Sequence, residues 1–466
     1  MHNQSVCGLH PGERSTRWYG NCLPKTGSRE SDIYQLDRKR TPVQVSGRRE
    51  VVTRRAFVMK YIKNSIVTNT AFASALLGCL LHSAWAEEST GQPAAEEKPA
   101  APTALTTPVM PGPLTANPNP MSFDAGPLGP VYLTGAVTPL VLWQNNPSSG
   151  DQRSLASLSN GQFFFQKTDG LFQYYVQAGA YTIPALGTPY FNTNKATGDF
   201  FGALPMAWAK VAPTDTFSVQ GGKLPTLIGA ENTFSFQNMN IERGLVWNQE
   251  PAISRGAQLN YTMDPVVFAF SWNDGFYSNR YTWLSGSATY TLDTANSFVL
   301  AAGGNYAHTT KATLATPLFQ NNSTLFTLVY TYNSAPWTIT PYFQYTHVPA
   351  ASSIGALTAA STYGGAILAN YSFGEDSPLP GFSIPIRFEY ISSTGSVGNG
   401  APNLLYGPGS NAWSITVTPT YQYKIFFARA EISHVGTNST TPGLAFGTSG
   451  TNTTQTRFLF ETGVLF

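Results

Sequence analysis

The chain has 466 residues, of which 13% are aromatic and only 11% charged, less than half the roughly 25% charge of soluble domains. No stretch after residue 86 is apolar for the roughly 20 residues that a membrane-spanning helix needs. Many aromatics, few charges and no long apolar run suit a transmembrane β-barrel, whose lipid-facing residues alternate with lumen-facing ones. A soluble all-β protein is the competing reading, since it alternates as well. The net charge of +2 conceals two unlike parts: residues 1–86 hold 13 Lys+Arg and 5 Asp+Glu, leaving 14 and 20 in residues 87–466, a net of −6. The basic pI is therefore no argument for a nucleic-acid partner. Cys7, Cys22 and Cys79 all precede residue 87, so the rest of the chain can hold neither disulfides, nor cysteine metal sites, nor cysteine nucleophiles.

Residues 59–86 read as a signal peptide. Met59, Lys60 and Lys63 form the basic start, Ile66 to Leu81 the apolar stretch, and Ala84-Trp85-Ala86 the small-x-small cleavage site, which leaves Glu87 as the first mature residue. Residues 1–58 are polar, charged and long for a leader, and are read as a start-site artefact or an extended leader. Thr53-Arg54-Arg55-Ala56-Phe57-Val58 resembles a twin-arginine export signal. That route carries folded proteins, whereas a barrel must reach its membrane unfolded, so the match is taken as chance. Leu76-Leu77-Gly78-Cys79 resembles a lipoprotein box, but cleavage there leaves Leu80, Leu81 and Trp85 in a polar tail. From 87 to 130, prolines such as Pro93, Pro102, Pro111 and Pro120 interrupt Ala, Thr and acidic residues. With little to bury, this segment is expected to be an extended, mobile periplasmic linker.

After 130 the chain settles into segments of about ten residues with period-two alternation. In 257–263, Ala257, Leu259, Tyr261 and Met263 oppose Gln258, Asn260 and Thr262. In 324–333, Phe326, Leu328, Tyr330 and Tyr332 oppose Thr327 and Thr331. Strand 382–391 is the clearest: Phe382, Ile384, Ile386, Phe388 and Tyr390 share one face, and Ser383, Arg387 and Glu389 the other. In 411–423, Trp413, Ile415, Val417, Tyr421 and Tyr423 oppose Ser414, Thr416, Thr418 and Thr420. Short turns rich in Asp, Asn, Gly and Pro fall near 169, 212–215, 264, 292–296, 333–336, 374–381 and 422–424. Longer connections lie between them. Strict alternation of short and long connections predicts an all-β, antiparallel transmembrane barrel of about 16 strands, within two, over 131–466. Short turns are expected at the periplasm and long loops outside.

The longest connection, 224–255, carries a recognisable pattern: Leu224-Pro225-Thr226, Gly229-Ala230-Glu231, Asn240-Ile241-Glu242-Arg243-Gly244, Trp247-Asn248-Gln249 and Arg255-Gly256. These residues resemble the OmpL-like β-barrel porin family of bacterial outer membranes. The resemblance implies a porin-type barrel and names no solute. Glu231, Glu242, Arg243 and Arg255 are dense for a chain this poor in charge. Either the loop folds into the lumen and narrows it, with both signs of charge setting up a transverse field, or the charges are solvated, or paired to hold the loop's shape.

Parity places Arg387, Glu389, Arg429, Glu431, Arg457 and Glu461 in the lumen, because an Arg facing lipid at the midplane costs roughly 2–4 kcal/mol. Arg429 is positioned to pair with Glu461, and Arg457 with Glu431, with wall structure as their main role and mild tuning of ion selectivity as the second. The final strand alternates Phe458, Phe460, Thr462, Val464 and Phe466 with Arg457, Leu459, Glu461 and Leu465, and ends on Phe466. That terminal aromatic strand resembles the signature read by the barrel-assembly machinery.

His308, His347 and His434 fall at outward positions where strands meet long loops, which speaks against a shared metal site. There is no G-x-S-x-G elbow, no H-E-x-x-H and no phosphate-binding Gly loop. The chain is thus read as a non-enzymatic passive channel without cofactors, in contact with outer-membrane lipids and with small hydrophilic solutes and ions. A plugged structural or adhesive barrel and an outer-membrane hydrolase are the alternatives, and a homo-oligomer stays open. Mass spectrometry of the mature protein is expected to find Glu87 at the N-terminus; any mature peptide from residues 1–86 overturns that cleavage site.

Overall fold

The computed structural model describes residues 104–466; the expected start site, signal peptide, Ala86–Glu87 cleavage point and first part of the linker lie outside them. Sixteen antiparallel strands follow one another around a closed barrel. The first six are β1 (Pro130–Gln144), β2 (Ser154–Lys167), β3 (Phe172–Tyr181), β4 (Met206–Val211), β5 (Phe217–Pro225) and β6 (Ile253–Met263). Next come β7 (Val266–Asn273), β8 (Trp283–Thr291), β9 (Asn296–Asn305), β10 (Thr324–Ser334), β11 (Trp337–Val348) and β12 (Ala360–Ser372). The circuit ends with β13 (Phe382–Ser393), β14 in two pieces (Asn411–Val417 and Thr420–Tyr423), β15 (Phe426–Asn438) and β16 (Thr454–Leu465). β16 pairs back onto β1, from Arg457 opposite Gln144 to Leu465 opposite Ala136. A short extra strand, Met121–Asp124, lies antiparallel to the start of β1.

Closure removes every strand edge, which is what lets a sheet cross hydrocarbon with all its backbone groups satisfied. The outer surface fits that solvent. Val141, Phe163, Leu259, Phe270, Leu300, Phe326, Tyr363, Ile386, Ile415 and Phe460 all lie exposed on it, a continuous apolar band that water would not tolerate on a monomer. No helix among the described residues is long and apolar enough to cross a membrane; here the strands do so. All short turns gather at one end of the barrel and all long loops at the other, as the alternation of connection lengths predicts.

Two irregularities have local causes. Pro419 has no N–H to give the ladder, so β14 breaks there, yet both pieces pair with β13 and β15. Its parity survives the break: Thr416, Thr418 and Thr420 are all buried on the inner side. In β2 the register against β1 shifts between Thr138 and Pro139. This bulge turns the Ser159 hydroxyl inward, where it donates to Glu461 at 2.5 Å, a typical use of the extra residue.

The last residue completes the seam. Phe466 N donates to Gly135 O at 3.0 Å, and Gly135 N donates to Phe466 O at 2.9 Å. Its ring lies over Gly135, so close that a Cβ there would meet it at 2.5 Å, and meets Phe163 edge-on at 5.9 Å. Deleting Phe466 removes both hydrogen bonds and the ring from the closing seam. The deletion is expected to lower the yield of folded barrel, scored by heat-modifiable mobility of the outer-membrane fraction; a wild-type yield would show that the terminal residue has no part in assembly.

Candidate functional site: the filled lumen

The connection between β5 and β6, residues 226–252, does not stand out into solvent. Phe234, Ser235, Phe236, Gln237, Asn238, Asn240, Ile241, Glu242, Arg243 and Val246 are all buried, and their partners are inward residues of β13, β15 and β16. A chain segment placed there loses water from every N–H and C=O, and each one left unpaired is costly. The wall supplies the partners. Glu431 accepts from Ile241 N at 2.5 Å and from Glu242 N at 3.1 Å. Glu389 accepts from Leu245 N at 3.0 Å and Val246 N at 3.3 Å. Arg387 donates to Glu242 O at 2.7 Å, and Arg429 to Asn238 O at 3.1 Å. Four of the six wall charges, Arg387, Glu389, Arg429 and Glu431, thus serve as caps for the backbone of the loop.

Side-chain ion pairs complete the seat. Arg387 meets Glu231 at 2.6 Å and Glu389 at 3.3 Å. Arg429 grips Glu461 through two nitrogens at 2.5 and 2.7 Å, and Glu461 also accepts from Ser235 of the loop at 2.6 Å. The Arg429–Glu461 pair spans neighbouring positions of β15 and β16. Arg457 does not reach Glu431; it takes Glu242 of the loop at 2.6 Å and the carbonyls of Ala185 and Thr188 at 3.0 and 2.5 Å. Arg243 donates to Pro184 O at 2.5 Å, lies over the Trp247 ring at 5.7 Å, and leaves Nε and Nη1 without a hydrogen-bond partner. The 182–205 connection, with its short helix α1 (Thr193–Asp199), is drawn in by the same residue: Leu186 N donates to Arg243 O at 2.9 Å.

Of the residues singled out in the loop, three enter this network and one does not. Arg255 belongs to β6, with the outward parity of Ala257, Leu259 and Tyr261. It pairs with Asp274 at 2.7 Å and stacks over Tyr277 at 4.0 Å, because the loop has already returned to the wall by Ile253. Asp274 gave no signal in sequence, being a single acid in a connection. Glu250, a further loop charge, is buried with neither carboxylate oxygen hydrogen-bonded. Charge density did not single it out beside the Trp247-Asn248-Gln249 run. The transverse field expected across an open lumen is not what these positions produce, since most of the opposite charges touch one another within one side of the barrel.

The other side is different in kind. From Gln220 on β5 to Asn370 on β12, no inward position carries a charge. Ser218, Asn260, Ser287, Thr289, Ser297 and Thr331 line it, and all are partly exposed, whereas Arg387, Glu389 and Glu461 have no accessible surface. Lys210 on β4, opposite Gln220, borders this arc. At the loop end, a chamber of about 290 Å³ is lined by Phe191, Phe201, Trp247, Phe276, Leu314 and Tyr406 among others.

Residues 104–117 also enter the barrel. Gln166 on β2 donates to Thr107 O at 2.7 Å, Gln237 of the loop donates to Val109 O at 3.1 Å, and Gln422 on β14 is hydrogen-bonded with Thr115 N and O at 2.8 and 2.9 Å. Leu114 is 1% exposed, in a cluster with Phe164, Tyr175, Phe236, Phe427 and Leu465, where burying it is worth about 1.5–3 kcal/mol. This stretch of the expected free linker is therefore held inside the turn end. Composition concealed it, because one Leu and one Met are enough to anchor a segment whose prolines already limit its freedom.

A family model described as "Putative beta-barrel porin-2, OmpL-like" matches residues 130–466. No curated protein sequence matches the chain. Among solved structures, an anion-selective porin from Comamonas acidovorans is 13% identical, covering 72% of this chain and 99% of that one, with a TM-score of 0.48. OmpF of Salmonella typhi, in complex with daunomycin, is 11% identical, covering 74% and 100%, with a TM-score of 0.48. A loop-deletion mutant of OmpT, an outer membrane protein of Vibrio cholerae, is 10% identical, covering 72% and 99%, with a TM-score of 0.47.

The seat makes a thermodynamic prediction. Arg429→Met leaves Glu461 buried without its cation, and should lower the unfolding free energy by about 3–5 kcal/mol. Replacing both with Met is expected to cost clearly less than the two single costs together, read by urea unfolding in lipid vesicles. Strict additivity would show that the pair is not coupled.

Proposed function

Because the chain belongs to the OmpL-like β-barrel porin-2 family, we propose that it is an outer-membrane porin. It is a passive diffusion channel for small hydrophilic solutes, with short turns in the periplasm and long loops outside. The observation that carries this reading is the uncharged inward face of β5 to β12, on which Ser218, Asn260, Ser287, Thr289, Ser297 and Thr331 are partly exposed. Hydroxyls and amides exchange hydrogen bonds with a passing solute much as water does, and none of them holds it by charge. The infolded 226–252 loop narrows the lumen: it is seated on the charges of β13, β15 and β16, and its Ile228, Leu245 and Val246 pack on inward residues of β8 to β12. Its Glu231 and Glu242 pair with Arg387 and Arg457 of the wall, so we read these charges as scaffold, with Lys210 bordering the arc on β4. Outer-membrane lipids cover the apolar band, and the terminal strand ending on Phe466 is the part offered to the assembly machinery.

The plugged alternative draws on the segment 104–117 at the turn end. Planar-bilayer recording separates the two: stable open steps support the channel, and silence from folded protein supports the plug. Under a salt gradient the reversal potential should lie near zero, with cations and anions passing about equally. Thr289→Asp, which puts an acid on the open arc, is expected to shift it toward cation selectivity. A strongly selective wild type, or an unmoved potential in Thr289→Asp, would place the ion path elsewhere.

A further inference from the structure

We propose that the chain's own N-terminal segment, residues 104–117, is the size-limiting element at the turn end of the lumen. Its consequence for transport rests on the channel reading above, but its seat does not. The segment runs across the turn end between β2 and β14, four strands apart around the closing seam: Thr107 is held by Gln166 on β2, and Thr115 by Gln422 on β14. Between those points it lies against the tip of the infolded loop. Gln237 bonds Val109 O, and Gly112 fits so closely that a Cβ would meet the carbonyl of Asn238 at 2.6 Å. Past the crossing, Met121–Asp124 pairs with β1, so the segment is tied down at both ends.

The wall itself argues for a permanent occupant. In a wet lumen, inward positions should be polar. At this end Phe164, Tyr175, Phe427 and Leu465 point inward and are buried, and Leu114 and Met110 are the side chains the segment brings to them. Phe236 of the loop tip covers part of this patch, meeting Phe164 at 5.7 Å, and the segment covers the remainder. Beside it remains a cavity of about 140 Å³, between Thr107 to Val109, the wall at Tyr175, Trp208 and Gln220, and Asn232 of the loop. That cavity is bounded by Gln220 of β5, so the segment borders the turn-end exit of the uncharged arc.

Thiol labelling tests this, because every native cysteine precedes residue 87 and introduced ones are unique in the mature chain. With a chain comprising residues 87–466 in lipid vesicles, Leu114→Cys should react with a water-soluble maleimide at least about tenfold more slowly than the neighbouring, exposed Thr115→Cys. Gln237→Cys, under the segment, should be slow in the full chain and fast once 104–117 is deleted. Gly112→Val, which pushes the segment off Asn238, should give a similar rise. Equal rates at 114 and 115, or a Gln237→Cys rate indifferent to the deletion, overturns the proposal. In planar bilayers the deletion should raise single-channel conductance beyond the wild-type spread, and unchanged open steps also overturn it. Silence of both forms counts against the channel reading instead, while the Gln237→Cys rates still decide the part played by the segment.

Discussion

The lumen is organised around one constraint: a segment of 27 residues, 226–252, lies inside a barrel, and its backbone must find hydrogen bonds there without water. Secondary structure meets little of that need, since the loop contains only two short 3-10 turns, Ser235–Gln237 and Trp247–Gln249. Wall carboxylates and guanidinium groups meet much of the rest. An ionised carboxylate accepts several N–H bonds at once, and a guanidinium donates in a planar fork, so a few charged side chains can serve a long stretch of irregular chain. That explains why a protein so poor in charge concentrates what it has on β13, β15 and β16.

The same constraint makes the lumen two-sided. Charges that anchor the loop are consumed by doing so: Glu461 accepts from Ser159, Ser235 and two nitrogens of Arg429, which leaves no lone pair facing a solute. The arc of β5 to β12 carries no inward charge, and its partly exposed inward residues, such as Ser287, Thr289 and Ser297, are small and neutral. Buried ion pairs of this kind add little net stability compared with apolar residues of the same shape. Their value here is positional, because Glu389 and Glu431 each match one pair of backbone amides, and a loop shifted by one residue would leave both sides unpaired.

Much of the wall was legible in the sequence. Period-two alternation assigns Arg387 and Glu389 inward and Phe388 and Tyr390 outward, and connection lengths alone order the strands. Phe466 ends a full alternating strand and does close the seam. The filling of the lumen was far less legible. Arg255 looks like a loop charge until its parity is joined to that of Ala257 and Leu259, which requires knowing that the strand begins at Ile253. Arg457 was matched to Glu431 by cross-strand distance, but Glu242 competes for it from a segment more than 200 positions away in sequence. No periodic signal encodes where an irregular loop comes to rest.

The segment 104–117 shows the limit most clearly, and also a way past it. Its own composition reads as linker, since prolines and small residues dominate and only Leu105, Val109, Met110 and Leu114 are larger and apolar. The complementary signal lies on the wall. Phe164, Tyr175, Phe427 and Leu465 occupy inward positions by the same alternation that sends Phe163, Phe426 and Val464 outward. A large apolar group facing the lumen of a polar channel is a broken rule, and a broken rule calls for a partner. Four such positions on β2, β3, β15 and β16, at the same end of the barrel, imply that something apolar lies between them. The loop tip supplies Phe234 and Phe236, and the segment closes the remainder with Leu114. In a barrel, inward apolar residues are thus the trace that an inserted segment leaves on the sequence, even where the segment itself is unremarkable.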